Sequence, residues 1–164
     1  MPSEVASREV DTITKGRVLV IDDEPAIRES LHALLTLEGG YAVDLAELEK
    51  CRREQNELLQ GGIERCTPAE LFRSGVHLHE TVIAGAHNRF LLDSLRTLNQ
   101  MRRVVEYGTR LDRARLHRQC EEHLVLIDLL VKGERMEASQ YLRQHLNTAR
   151  ITKIGDSDER ERGT

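Results

Sequence analysis

The sequence has no tryptophan, and aromatic residues make up only 3% of its 164 residues. That scarcity argues against a β-sandwich or barrel, and the abundant Leu, Ala, Glu and Arg suit packed helices. Cysteine is sparse as well. Cys51, Cys66 and Cys120 are odd in number and far apart, with no Cys-x-x-Cys pair, which excludes a disulfide framework and a zinc ribbon and points to a reducing compartment. No stretch approaches the roughly 18 apolar residues of a membrane span, and the N-terminus MPSEVASREVDTITKGR lacks the apolar centre of a signal peptide. A cytoplasmic protein without membrane contact is expected. Basic charge is not in excess: the net charge is −4 and the pI about 6.0, so nothing global calls for nucleic acid, and the Arg110 to Arg118 run reads as a solvated face.

With 39% hydrophobic residues the chain can build one modest core, and the expected class is mainly α. Residues 1–15 and 153–164 are polar and unpatterned and read as mobile tails. Arg17 to Ile21 is a short β-branched run, followed by Asp22, Asp23, Glu24 and a Pro25 suited to a helix first turn. Ile27, Leu31, Leu34 and Leu35 recur at helical spacing, Gly39-Gly40 ends that helix, and Tyr41 to Leu45 reads as a short strand. From Asp44 a helix carries Leu45, Leu48, Cys51 or Arg52, Gln55 and Leu58-Leu59 and ends at Gly61-Gly62.

Thr67-Pro68-Ala69-Glu70 is a capping box, opening a helix whose apolar face is Leu71, Phe72, Val76, His79, Val82 and Ile83. Asn88 can cap the next, with Leu91, Leu95, Leu98, Met101 or Arg102, and Val105. The Arg110 to Gln119 stretch can be read either as the start of the following helix or as a charged connection. His123 shares a face with Ile127, Leu130 and Val131; Gly133 breaks that helix, and Ala138, Tyr141, Leu142, His145 and Ala149 line the last one.

A buried histidine is ordinarily a satisfied core residue. Inward histidines on three helices sharing one small core are costly unless their nitrogens meet a common partner, and a divalent metal is such a partner for imidazole. His32, His77, His87 and His117 fall off the apolar stripes and read as surface or loop residues. No Ser/His/Asp, Cys/His or paired-carboxylate set can be placed on one face, so an enzyme is not expected.

Two resemblances follow. Residues 17–46, RVLVIDDEPAIRESLHALLTLEGGYAVDLA, resemble the opening β-α-β of a response-regulator receiver domain. That likeness implies an acidic, magnesium-binding pocket at Asp22 and Asp23, and a phosphorelay role as the alternative function. A receiver needs a third strand ending in a phospho-acceptor Asp, and residues 46–70 offer none. Asp128 in LVLIDLL lies too late in the chain for the remaining βα units. The fragment, 16–43, is therefore read as truncated.

The second resemblance covers roughly 44–152. GVHLHETVIAGAHNRFLL followed by EEHLVLIDLLVKGERMEASQYLRQHL is similar to the FadR C-terminal (FCD) effector-binding domain of GntR-type transcription regulators, with His79, Asn88, Glu122-His123, Gly133 and His145-Leu146 in register. The likeness implies an antiparallel helical bundle that receives a small organic acid. It implies His79, His123 and His145 as ligands of a divalent metal, zinc or nickel, and Asn88 as a ligand-binding residue. The family's fourth metal ligand, an Asp one turn before the first histidine, is Gly75 here, which weakens the site. No helix-turn-helix pattern precedes Asp44, so the expected partners are the effector and a homodimer mate or partner regulator, without direct DNA binding.

Overall fold

The computed structural model describes residues 41–106 and 111–162, with side chains described for 41–103 and 111–148. Helix α1 (Leu45–Glu57) starts because the Asp44 carboxylate accepts from the amides of Ala46 at 2.8 Å and Glu47 at 3.1 Å. It ends in a π-helical turn, Leu58–Gly62, where Gly61 takes φ 96°, a left-handed conformation open to glycine at little cost. A single turn, Ile63–Arg65, leads to α2 (Pro68–Ala84).

The capping box at the head of α2 is complete. The Glu70 amide donates to Thr67 Oγ1 at 3.3 Å, and the Thr67 amide donates to the Glu70 carboxylate at 2.8 Å. Helix α3 (Arg89–Glu106) follows, with Asn88 Oδ1 accepting from the Leu91 amide at 3.3 Å. The basic stretch left open by the sequence is helical from Arg113: α4 (Arg113–Lys132) is capped by Asp112, which accepts from the Arg115 amide at 3.0 Å.

Gly133 adopts φ 75° and its amide bonds back to the end of α4, so the chain reverses at once into α5 (Arg135–Arg162). Two helices that pack on each other through so short a link must run antiparallel. Helix α1 packs on α2 and α4, α2 on α3, and α4 on α5. The main core is Leu48, Cys51, Leu78, Val82, Ile83, Leu126, Ile127, Leu130, Ala138 and Leu142. Each fully buried Leu among them contributes about 1.5–3 kcal/mol of transfer free energy.

Several expectations need correction. Tyr41 to Leu45 is no strand: Tyr41–Asp44 is irregular and Leu45 already belongs to α1. Its place is set by contact with the end of α2, where the Tyr41 hydroxyl donates to the Val82 carbonyl at 3.0 Å and the Ala42 amide to that of Gly85 at 2.8 Å. A Cβ on Gly85 would lie 3.0 Å from the Tyr41 ring, so the glycine permits this approach. No strand occurs among the described residues. The remainder of the β-α-β reading, Arg17 to Ile21 and Pro25 to Glu38, lies outside the described residues.

Val131 is exposed, and Leu126 takes the inward place beside His123, Ile127 and Leu130. Leu78 rather than Val76 centres the buried face of α2. Helix α5 runs to Arg162, past the tail expected from 153. Among the described residues no helix is long and apolar enough to cross a membrane.

Candidate metal centre

Three helices bring their histidines together. His79 lies in the second half of α2, and its ring centroid is 5.2 Å from that of His123 on α4 and 5.7 Å from that of His145 on α5. The His123 and His145 rings are 4.8 Å apart, with their Nε2 atoms at 3.3 Å. Each ring offers one nitrogen to a common point, the three atoms lying within 4.8 Å of one another.

The outer nitrogens decide what the inner ones can do. His123 Nδ1 faces Gln55 Oε1 at 3.1 Å, while the Gln55 amide nitrogen donates to Ser74 Oγ at 2.8 Å. The amide is thereby oriented with its oxygen toward the imidazole, and His123 carries its proton on Nδ1. His145 Nδ1 faces the Glu122 carboxylate at 2.6 Å, another pure acceptor. In the neutral rings both Nε2 atoms therefore hold bare lone pairs, pointed at each other. His79 Nε2 is sealed from solvent with no hydrogen-bond partner, although the residue as a whole is only half-buried.

Protonation of His123 or His79 is a poor remedy for that arrangement. Burial pushes the His123 pKa down to about 3, with His145 adding to the effect. His79 is driven well below the ordinary histidine range by burial, then by His123, His145 and the Arg102 guanidinium. A divalent cation accepts three lone pairs at once. On tetrahedral zinc, with Zn–N near 2.0–2.1 Å, two ligand nitrogens sit about 3.4 Å apart; the His123 and His145 Nε2 atoms are at 3.3 Å. The donor set fits a zinc- or nickel-type ion. The carboxylate and amide on the outer nitrogens are the supports that metal-binding imidazoles use to hold ring orientation.

At Gly75, where the resemblance implies a fourth ligand, an added Cβ would lie 3.8 Å from His123 Cε1, in ordinary contact. Asn88 is exposed and caps α3. Asp22, Asp23 and His32 lie outside the described residues. His87 sits in a turn at φ 52°, and His117 is exposed beside Glu121, 3.5 Å away. His77 is not the free surface residue expected: it is half-buried against α1, between Glu47 and Glu54.

The residues that sequence reasoning missed are Gln55 and Glu122. Gln55 carried a signal, a polar residue on the stripe of Leu48, Cys51 and Leu58. Glu122 was visible only as the neighbour of His123, yet it serves the histidine of the other helix.

The chain belongs to the FCD domain family, which it matches over residues 29–148. FCD domains are effector-binding domains of GntR-family transcription regulators, regulatory rather than catalytic modules. The match begins inside the receiver-like stretch and claims residues 29–43 for the FCD family, so the phosphorelay alternative finds no support. No curated protein and no solved structure matches the chain.

Proposed function

We propose that this chain is the effector-sensing domain of a GntR/FadR-type regulator, in which His79, His123 and His145 hold a divalent cation, zinc or nickel, against which a small organic acid binds. The observation that carries the reading is the approach of the His123 and His145 Nε2 atoms to 3.3 Å with the orphaned His79 Nε2 beside them. Bound there, the metal supplies a Lewis-acidic anchor for a carboxylate oxygen.

The chain's own residues do the rest. Gln55 and Glu122 fix the tautomers and keep the lone pairs turned inward. Gly75 withholds the anionic ligand of the family pattern, so three neutral imidazoles leave the ion's charge uncompensated, which favours an anionic effector. Arg102, whose charge is felt at His79, adds to that preference. Asn88 is assigned an effector contact at the start of α3, outside the metal ligands. Helices α2, α4 and α5 each contribute one ligand, so occupancy alters how they pack and is read by a homodimer mate or partner regulator in the cytoplasm. DNA contact is left to another module.

The test compares Gly75→Asp with Gly75→Ala by zinc and nickel titration, followed by thermal shift against a panel of carboxylates. Asp restores an anionic ligand on the histidine face, whereas Ala supplies only the helical gain over Gly of up to about 1 kcal/mol. Tighter metal binding by Gly75→Asp alone supports the proposal. Equal binding by the two denies position 75 a ligand role, and binding by neither, or binding that His123→Ala leaves unchanged, removes the metal from the proposal.

A further inference from the structure

The His77 cluster is a second meeting of metal-ligating groups, separate from the triad. On α1, Glu47, Cys51 and Glu54 stand at i, i+4 and i+7 and so share one stripe, facing His77 of α2. Cys51 Sγ lies 3.6 Å from His77 Nδ1, and the Glu54 carboxylate lies 2.9 Å from the same nitrogen. The three donor atoms are within 4.8 Å of one another. His77 Nε2 meets the Glu47 carboxylate at 3.0 Å. Both carboxylates are acceptors, so without metal both imidazole nitrogens donate, and a cation bound at Nδ1 takes the place of the proton shared with Glu54.

We propose that Cys51, Glu54 and His77 form a second cation site, suited to a thiophilic divalent ion of the zinc type, with Glu47 as the outer partner that orients the imidazole. A thiolate, an imidazole and a carboxylate are all ligands that zinc takes. With Zn–S near 2.3 Å and Zn–N near 2.1 Å, tetrahedral geometry sets sulfur and nitrogen about 3.6 Å apart, the separation already present. Glu54 has to withdraw by about half an ångström to reach the corresponding O–N spacing, and as a half-buried side chain it has room to do so.

Without metal the thiol keeps its proton and donates to Thr81 Oγ1 at 3.7 Å. Metal binding releases that proton and the one on His77 Nδ1 as the S–metal and N–metal bonds form, with no change of oxidation state. Burial and the Glu54 and Glu47 charges hold the Cys51 pKa up at about 11, with Thr81 opposing, so without a metal this thiol is not a nucleophile.

The site is independent of the triad and can be tested without it, because the triad holds no sulfur. Cobalt(II) added to the full chain is expected to give a thiolate-to-cobalt charge-transfer absorption in the near ultraviolet. The band should persist in His123→Ala and in the Cys66→Ser/Cys120→Ser double variant. It should vanish in Cys51→Ser and weaken at least tenfold in apparent affinity in His77→Gln and Glu54→Gln. Circular dichroism checks the fold of Cys51→Ser, and where that variant misfolds the more exposed His77→Gln decides. Absence of the band at saturating cobalt, a band that survives Cys51→Ser, or an apparent cobalt affinity unchanged in His77→Gln overturns the second site and leaves an imidazolium clamped between two carboxylates.

Discussion

His77 and His79 are separated by one residue on α2, and they stand in opposite electrostatic situations. His79 turns toward α4 and α5, where burial and two further imidazoles oppose its protonation, joined by the Arg102 guanidinium of α3. His77 turns toward α1. There burial also opposes protonation, but the Glu54 and Glu47 carboxylates outweigh it and hold the pKa above the ordinary value. Two residues along a helix is a rotation of about 200°, enough to exchange a neutral, lone-pair-rich environment for an anionic one. The identity of the side chain therefore says little about its charge, and the helix it faces says most.

The comparison can be broken or sharpened in several ways. Leu78, fully buried between the two histidines, holds both faces of α2 in place. Leu78→Ala is expected to cost about 2–5 kcal/mol and to loosen both clusters together, as read by urea denaturation and cobalt binding; an undisturbed triad would mean that α2 is positioned by other contacts.

His123→Ala strikes one side alone. It should lower zinc affinity by more than the roughly 10–100-fold cost of losing an outer-shell partner, with the Cys51 band unchanged. Glu122→Gln, which keeps shape but removes the anionic acceptor from His145, should fall within that 10–100-fold range in the same zinc titration. No change there would deny Glu122 its orienting role.

The smallest effect separates the two histidines by sign. In chelator-treated protein, His123 has a folded pKa of about 3 against an ordinary 6.5, so the unfolded chain binds the proton more readily. Its contribution to stability is complete above pH 6.5 and declines as pH falls toward about 3. For His77 the folded pKa is raised above 6.5, so its contribution is complete below 6.5 and is lost as pH rises through the raised value. His77→Gln should therefore widen its Tm deficit on acidification, by the equivalent of at most about 1 kcal/mol. His123→Gln should narrow its deficit over the same descent. Parallel Tm curves for the two variants would show that the faces are electrostatically alike.

Much of this was open to reading from residues alone. Thr67, Pro68 and Glu70 announced the start of α2, Gly133 announced the break before α5, and the apolar spacing around His79, His123 and His145 turned all three inward. Spacing fixes a helical face only to within a turn's angular width, which is why Val76 and Val131 were placed inside and Leu78 and Leu126 were not named. It says nothing about which helix a face meets. Cys51 and His77, 26 residues apart, could not be paired without knowing that α1 lies on α2. The Tyr41 stretch looked like a strand because Tyr41, Val43 and Leu45 alternate with other residues just after Gly39-Gly40. Its actual place depends on a space that Gly85 leaves open at the far end of α2.

Gly133 sets the phase of the metal centre. His123 and His145 are 22 residues apart in the chain, and most of that distance is helix whose rotation is predetermined at about 100° per residue. The only adjustable joint between them is the turn at Gly133. Adding or removing one residue there would swing His145 through more than a quarter of a revolution and carry its lone pair out of reach of its two companions. Substitutions on the exposed faces of α4 and α5 leave that phase untouched. The hairpin can thus absorb wide variation in letters but almost none in length, and a one-residue insertion at the turn would abolish the three-histidine centre while leaving every histidine in the chain.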